Sequence, residues 1–489
     1  MARTLPQIEH LIRRAGFGGS AAELADFSER GYAASVEALI NFTPTGTDFI
    51  DDALRTPGYI GVTSTRAFEP QTNILDTRQR WLFRMVHTPA PLQEKLALFW
   101  HNHFATGYNK INGLVGAADA ARLMDSRASR DPLGMNGQIE LFRTMGIGKF
   151  TDLLIAVSKH ASMSIWLDGR QNTRTSPQEN FGREVMELFT VGVTNYVESD
   201  VYAAARVFTG WNYSRTIPAG QTVALSNFAF QFNANQHETA SKTFSFPVYS
   251  NGGKTIPSRA QAAGEQDGLD LLYALAHHPE TAKRLARKLW TFFVSEVREP
   301  EAAFVDAIAQ VYLANDTDMK PVIRAVLNST QFTDSRAYFE RYAWPVEYVI
   351  RSIKEIGFLG FSVSDTLTPL VNMGQTLYEP PDVSGWDLGT WWFSTGGMLA
   401  RMNFVSQLVT NQKFNLRDLA RPHKSSPESL ITGFALSRLT MPMPDAEVYN
   451  TLLNYVRAGG TWTGSDGQLA NKAGGTVHLL AGSADYQFV

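Results

Sequence analysis

The 489-residue chain contains no cysteine, which excludes disulfides, thiolate metal sites, iron–sulfur clusters and a cysteine nucleophile. The same absence suits an oxidising compartment, where stray thiols are a hazard. Neither sign of charge is in excess. Lys plus Arg number 44 against 47 Asp plus Glu, a net charge of -3, so no overall field draws the chain to nucleic acid or to an anionic membrane. No stretch approaches the roughly 20 apolar residues that a membrane helix needs, and the start, Met1-Ala2-Arg3-Thr4-Leu5-Pro6, lacks the apolar run of a signal peptide. Internal repeats and low-complexity tracts are missing too. So are the Gly-x-Ser-x-Gly elbow, the His-Glu-x-x-His zinc motif and the spacing of a calcium loop.

What is present is a globular composition. With 44% hydrophobic and 19% charged residues, the chain can bury one large core or two fused ones, and disorder is disfavoured. Apolar residues recur at three- and four-residue spacing over most of it, which predicts a mainly α fold. Pro91 opens one helix, whose Leu92, Leu96 and Phe99 share a face. Ser176-Pro177-Gln178-Glu179 has the form of another start, with Ser176 as cap, Pro177 in the first position and Glu179 closing a capping box. Further helices are predicted at about 199–209, 265–275, 279–294, 301–313, 319–328 and 342–356. From about 212 to 260 the helical period disappears, Phe228, Phe230 and Phe232 alternate with small or polar residues, and Gly252-Gly253 breaks the chain. This predicts a small β insertion. The expected organisation is a helical region over 1–211, the insertion at 212–260 and a second helical region over 261–489 packed on the first as one unit. Residues 46–75 and the Gly-, Thr- and Ser-rich tail after 457 are read as loops.

Several strings stand out in order: His10-Leu11-Ile12-Arg13-Arg14-Ala15-Gly16-Phe17-Gly18, then Phe99-Trp100-His101-Asn102-His103-Phe104, then Glu179 to Thr190 (Glu-Asn-Phe-Gly-Arg-Glu-Val-Met-Glu-Leu-Phe-Thr). Ala203 to Trp211, His278-Pro279-Glu280-Thr281-Ala282 and Gly374 to Trp386 follow. Through these strings, which span roughly residues 8–405, the chain resembles the bacterial family catalogued as domain of unknown function 1800. The resemblance implies a soluble, mostly helical protein, often exported and often encoded beside a sulfatase-like partner. It brings no reaction and no catalytic residue. Where relatives usually carry His-Asp-x-Gly-x-Lys, this chain has His237-Glu238-Thr239-Ala240-Ser241-Lys242, which puts the role of that turn in question.

Chemistry must therefore come from the residues. On the helix after Pro177, an advance of about 100° per residue sets Asn180, Arg183, Glu184 and Glu187 in one polar arc, opposite Phe181, Val185, Leu188 and Phe189. Two crowded carboxylates beside an arginine can supply a general acid and a base; the alternative is a solvated face with an Arg183–Glu187 ion pair. His101 and His103 resemble a metal-binding pair, but a continuous helix turns their rings about 200° apart. They are candidates for proton transfer or substrate contact, or else core histidines; a divalent metal there is an alternative, and no cofactor is otherwise predicted. Asp168 ends an apolar run before a glycine and either joins the two glutamates or makes an Asx-turn. Trp211, Trp386, Trp391 and Trp392 lie near glycines and can stack on sugar rings or plug the core.

Two other features read as structural. Gly16-Phe17-Gly18-Gly19 before Ser20 is a turn and helix cap, not a phosphate cradle. Lys283, Arg284, Arg287 and Lys288 read as a solvated basic face. The leading expectation is a periplasmic or secreted enzyme that cleaves a polysaccharide by hydrolysis or elimination. Its catalytic groups would be Glu184, Glu187, His101, His103 and Asp168, with Asn180, Arg183, Trp211, Trp386 and Trp391 binding substrate. The rivals are a non-catalytic exported scaffold that binds a sulfatase-like partner or the cell envelope, and a metal-dependent hydrolase.

Overall fold

The computed structural model describes residues 6–43, 68–219, 225–410 and 415–489. Its principal helices follow the apolar spacing: α1 (Pro6–Ala15), α2 (Ile74–His87), α3 (Pro91–His103), α4 (Ala117–Asp125), α5 (Gln138–Met145), α6 (Phe150–Lys159), α7 (Glu179–Glu187) and α8 (Glu198–Val207). After the β insertion come α9 (Glu265–Ala276), α10 (Pro279–Leu289), α11 (Pro345–Ile356), α12 (Thr395–Val409), α13 (Ala446–Arg457) and α14 (Asp466–Ala481). The chain is 61% helical with two small two-stranded sheets, so it is mainly α.

The middle helices begin and end close to where their caps and breakers predict. Pro91 and Pro279 occupy the first turns of α3 and α10, where a missing N–H costs nothing. Ser20 caps its helix as expected, in a reciprocal box with Glu23. The start of α7 differs from the sequence reading. The helix begins at Glu179, and the cap position is Gln178, with no side-chain cap. Ser176 is instead held in a turn with Thr173, and the Gln178 N–H donates to the buried Asn172 Oδ1 at 3.0 Å, so a distant amide does the work assigned to the serine.

Within the insertion, β1 (Trp211–Thr216) pairs antiparallel with β2 (Asn227–Phe232), and β3 (Lys242–Thr243) with β4 (Thr255–Ile256). Phe228, Phe230 and Phe232 fall on the inward side of β2 while Asn227, Ala229 and Gln231 are exposed, which is the alternation of a half-buried strand.

The tail is a correction. Residues after 457 do not form an irregular covering; they contain α14, capped by Ser465. Leu469, Ala473, Val477 and Leu480 recur on its buried side. Gly475 lies in this helix because a Cβ there would come within 1.9 Å of the Tyr455 hydroxyl on α13, so the glycine marks close helix packing rather than a loop. Of the other segment read as a loop, 46–75, most lies outside the described residues; its end is the beginning of α2, capped by Asn73.

Helix α3 runs through the centre. Every one of its residues except Asn102 is buried, including Glu94 and Lys95. The charges are tolerated because each is paired: Arg143 and the Trp81 indole donate to Glu94, and Lys95 pairs with Glu347. This buried axis fixes where its last three side chains, His101, Asn102 and His103, are delivered.

Candidate functional site

The step of about 100° per residue sends these three groups to three different places. His101 enters an aromatic box, with ring centroids 5.1 Å from Trp386, 5.8 Å from Trp81 and 5.9 Å from Tyr378. It is fully buried, neither ring nitrogen has a hydrogen-bond partner among the described residues, and burial pushes its pKa down to about 3. It is therefore a neutral core imidazole at physiological pH. Asn102 accepts the Trp386 N–H at 2.6 Å. That approach needs Gly385, which has a φ of 95° and where a Cβ would lie 2.3 Å from Asn102 Oδ1.

His103 reaches the ends of α7 and α10. Its Nε2 lies 3.0 Å from the Phe189 carbonyl and its Nδ1 3.0 Å from Lys288 Nζ. A carbonyl only accepts, so Nε2 carries the proton and Nδ1 offers its lone pair to the lysine. Burial, then the charges of Lys288 and Arg284, hold this imidazole well below its ordinary pKa. The same burial, with Arg284 adding to it, lowers Lys288 to about 7. Arg284, one turn earlier on α10, donates to the Leu188 carbonyl at 3.1 Å and feels the charge of Glu187.

The polar arc of α7 forms as its periodicity predicts: Phe181, Val185 and Phe189 are buried, while Arg183, Glu184 and Glu187 are partly buried. The two carboxylates have different surroundings. Glu187 accepts the Tyr196 hydroxyl, and that hydrogen bond, after burial, helps push the tyrosine up to about 12. The Glu184 carboxylate has no hydrogen bond or ion pair among the described residues, and burial first, then the nearby Glu187, raises its pKa, opposed by Arg183. Both glutamates stand in the last turn of α7, whose dipole disfavours negative charge.

Arg183 does not pair with Glu187, as the solvated-face reading had it. It meets Glu198 at 2.5 Å and Glu179 at 3.2 Å, and this leaves Glu187 to the tyrosine. The basic face of α10 also needs correction. Of its four cations only Arg287 is exposed; Arg284 and Lys288 turn inward to the Leu188 carbonyl and His103. Glu184, Glu187, Tyr196, Arg284, Lys288 and His103 thus form one chain of neighbouring groups where α3, α7 and α10 meet. Tyr196 was not singled out from sequence, and Arg284 and Lys288 were read there only as part of a solvated face. Nothing in the local pattern separates two inward cations from their outward neighbours.

The remaining candidates are dispersed. Asp168 makes no cap to its own backbone; it has a φ of 57°, and its carboxylate meets Lys110 at 3.1 Å, so the Asx-turn reading is replaced by an ion pair to a residue far away in sequence. Asn180 is exposed and donates weakly, at 3.4 Å, to the Leu167 carbonyl. The tryptophans do not share one face. Trp386 is buried against His101 and Trp392 against Trp344. Trp211 is buried between Phe208 and Phe230 beside a cavity of about 20 Å³, room for a water but not a sugar. Trp391 alone of the four is open, 74% exposed.

Two further points bear on chemistry. Among the described residues no three His, Asp or Glu side chains are placed to share a metal ion, and His101 and His103 face different surroundings. His237 and Lys242, from the string that departs from its relatives, converge on the buried Asp267, at 3.2 and 2.6 Å. The His237 Nδ1 lies 2.9 Å from the Thr209 carbonyl. Ala240 is not among the residues with positive φ, so the turn needs no glycine, and its two ends serve as a polar knot that ties the insertion to α8 and α9.

A family model described as "Protein of unknown function (DUF1800)" matches residues 10–488, nearly the whole chain. The chain belongs to the DUF1800 family. No curated protein and no solved structure matches it. No helix among the described residues is long and apolar enough to cross a membrane.

Proposed function

We propose that this DUF1800 protein is an exported enzyme that cleaves a polysaccharide by acid–base chemistry, through hydrolysis or elimination, with Glu184 and Glu187 as the reacting carboxylates. The observation that carries this reading is the unequal setting of the pair. Glu184 is unpaired and raised, which suits a proton donor, whereas Glu187 is held by Tyr196 next to Arg284, which suits the ionised partner. The exposed Trp391 offers a stacking surface for a sugar ring, and the cations of α10 suit an acidic polymer. His101 has no part in proton transfer in this reading, because it is enclosed and neutral; His103 acts through its bond to Lys288.

The test is to incubate the purified protein with neutral and acidic glycans while following new reducing ends and the absorbance of new double bonds. Turnover of at least one polymer is expected, with Glu184→Gln lowering it by about 100-fold or more, the range of a lost general acid. Silence on every polymer, with Glu184→Gln and Glu187→Gln changing only stability, would overturn the proposal.

One observation favours a second reading, a non-catalytic scaffold that binds a sulfatase-like partner or the cell envelope. Leu388, Trp391, Leu399 and Met402 are all exposed within one short stretch, more apolar surface than a sugar needs. Stable co-purification with a partner that Trp391→Ala abolishes would support it.

A further inference from the structure

Lys288 differs from most of the other buried or half-buried lysines. Lys95, Lys159, Lys242, Lys283 and Lys354 each meet a carboxylate, and Lys472 donates to the Tyr455 carbonyl. Lys288 meets none among the described residues; its Nζ lies 3.0 Å from His103 Nδ1, to which it donates a hydrogen bond that the neutral amine can make as well as the ammonium, and its charged neighbour is Arg284, of the same sign. His103 is itself fixed by its bond to the Phe189 carbonyl, so the lysine is aimed by a neutral acceptor that does not hold it in the charged form. Directly after Lys288 the helix widens into a π-turn over Trp290–Val294, an irregularity frequent at functional positions. Arg284 lies four residues earlier on the same face of α10. Its Nε has no partner among the described residues, leaving a guanidinium donor within one helical turn of the amine.

We propose that Lys288 is a nucleophilic amine that captures a small 2-oxo carboxylic acid as an imine, with Arg284 holding the carboxylate of that acid. The lone pair of Nζ attacks the carbonyl carbon and gives a carbinolamine. The C–O bond then breaks, the oxygen leaves as water with the two hydrogens that the amine brought, and a C=N bond remains. No oxidant or reductant takes part. The site adjoins the carboxylate pair but does not depend on its chemistry, so the inference goes beyond the proposed cleavage reaction.

The experiment uses the full chain with glyoxylate and sodium cyanoborohydride at neutral pH, followed by intact mass and peptide mapping. One adduct per chain is expected, on the peptide that contains Lys288, formed at least tenfold faster than on Lys110, Lys283 or the same lysine in the urea-unfolded chain. Lys288→Arg removes that adduct. Arg284→Met slows labelling by glyoxylate but not by acetaldehyde, which lacks a carboxylate. Glu184→Gln leaves labelling unchanged, so failure of glycan cleavage and failure of imine capture are separate outcomes. Label spread over surface lysines, with Lys288 no faster than in the unfolded chain, overturns the proposal; this wild-type comparison decides even if the Lys288 variant does not fold.

Discussion

The buried charges of α3 and α11 allow a quantitative test of what a buried ion pair contributes. Glu347 is fully buried in the first turn of α11, accepts Arg341 Nη1 at 2.6 and 2.8 Å and the Trp344 N–H at 2.9 Å, and pairs with Lys95. Burial alone would raise its pKa; the Arg341 and Lys95 charges outweigh it and hold the carboxyl at about 2. Relative to an ordinary 4.5, that is a preference of about 3 kcal/mol for the ionised form in the fold. Lys95 is the reverse case: burial outweighs Glu347 and lowers it to about 8. Burial is the largest influence on the lysine, whereas the glutamate answers two cations. Lys95→Met is therefore expected to cost less than about 1 kcal/mol, because a chain of similar volume replaces a desolvated ion. Glu347→Gln is expected to cost about 3–5 kcal/mol, since Lys95 then loses its carboxylate and Arg341 keeps only the more distant Glu296 at 3.8 Å. Urea midpoints at constant slope, at pH 7, give both values. The folded pKa of Glu347 is depressed, so its contribution is complete above about 4.5 and is lost as pH falls toward about 2; the gap between wild type and Glu347→Gln must narrow over that window. Equal costs for the two variants, or a gap that widens on acidification, would refute the reasoning.

Three other substitutions have defined outcomes. His101→Phe keeps the aromatic box and removes two ring nitrogens that lack partners among the described residues, so the stability from urea titration should stay within about 1 kcal/mol of wild type or rise; a loss of more than about 3 kcal/mol would show that those nitrogens are satisfied. Gly264→Ala would place a Cβ 2.1 Å from His237 Cδ2, and the ring is bound on both sides, so a loss of about 1–3 kcal/mol is expected in urea titration. Tyr378→Phe removes the hydroxyl that donates to Asp125 at 2.9 Å; a hydrogen bond to a buried carboxylate predicts a loss of about 1.5–3 kcal/mol, read from the same titration.

The fold class was legible because helical periodicity is a local property, repeated over α7 to α11, and Pro91, Pro279 and Ser20 act on their own turns. Glycine misled in α14. Gly474 and Gly475 resemble loop residues in sequence, yet Gly475 is required by the Tyr455 hydroxyl of another helix, a contact that no window of sequence contains. The cap of α7 failed for the same reason, since Asn172 supplies the acceptor for the Gln178 N–H. In the candidate site, the α7 arc was readable from phase, as was the divergence of His101 from His103. Which cations of α10 turn inward was not, because that depends on where the α3 end and the Leu188 carbonyl lie.

The His101-Asn102-His103 triplet shows why residue type alone overstated the site. Two imidazoles two residues apart suggest a shared ion, but the helix persists through His103 and its phase assigns each side chain a separate task. His101 fills the core, Asn102 pins the Trp386 turn, and His103 joins the end of α7 to α10. The consequence falls on the acids. Because His103 donates to the Phe189 carbonyl and accepts from Lys288, it fixes the segment just past Glu187 relative to Arg284 and Lys288. The spacing of the carboxylates from the α10 cations is therefore set by an imidazole that never changes protonation in the physiological range. A site built this way keeps its cations and acids in fixed register while the titration near neutrality is left to Lys288.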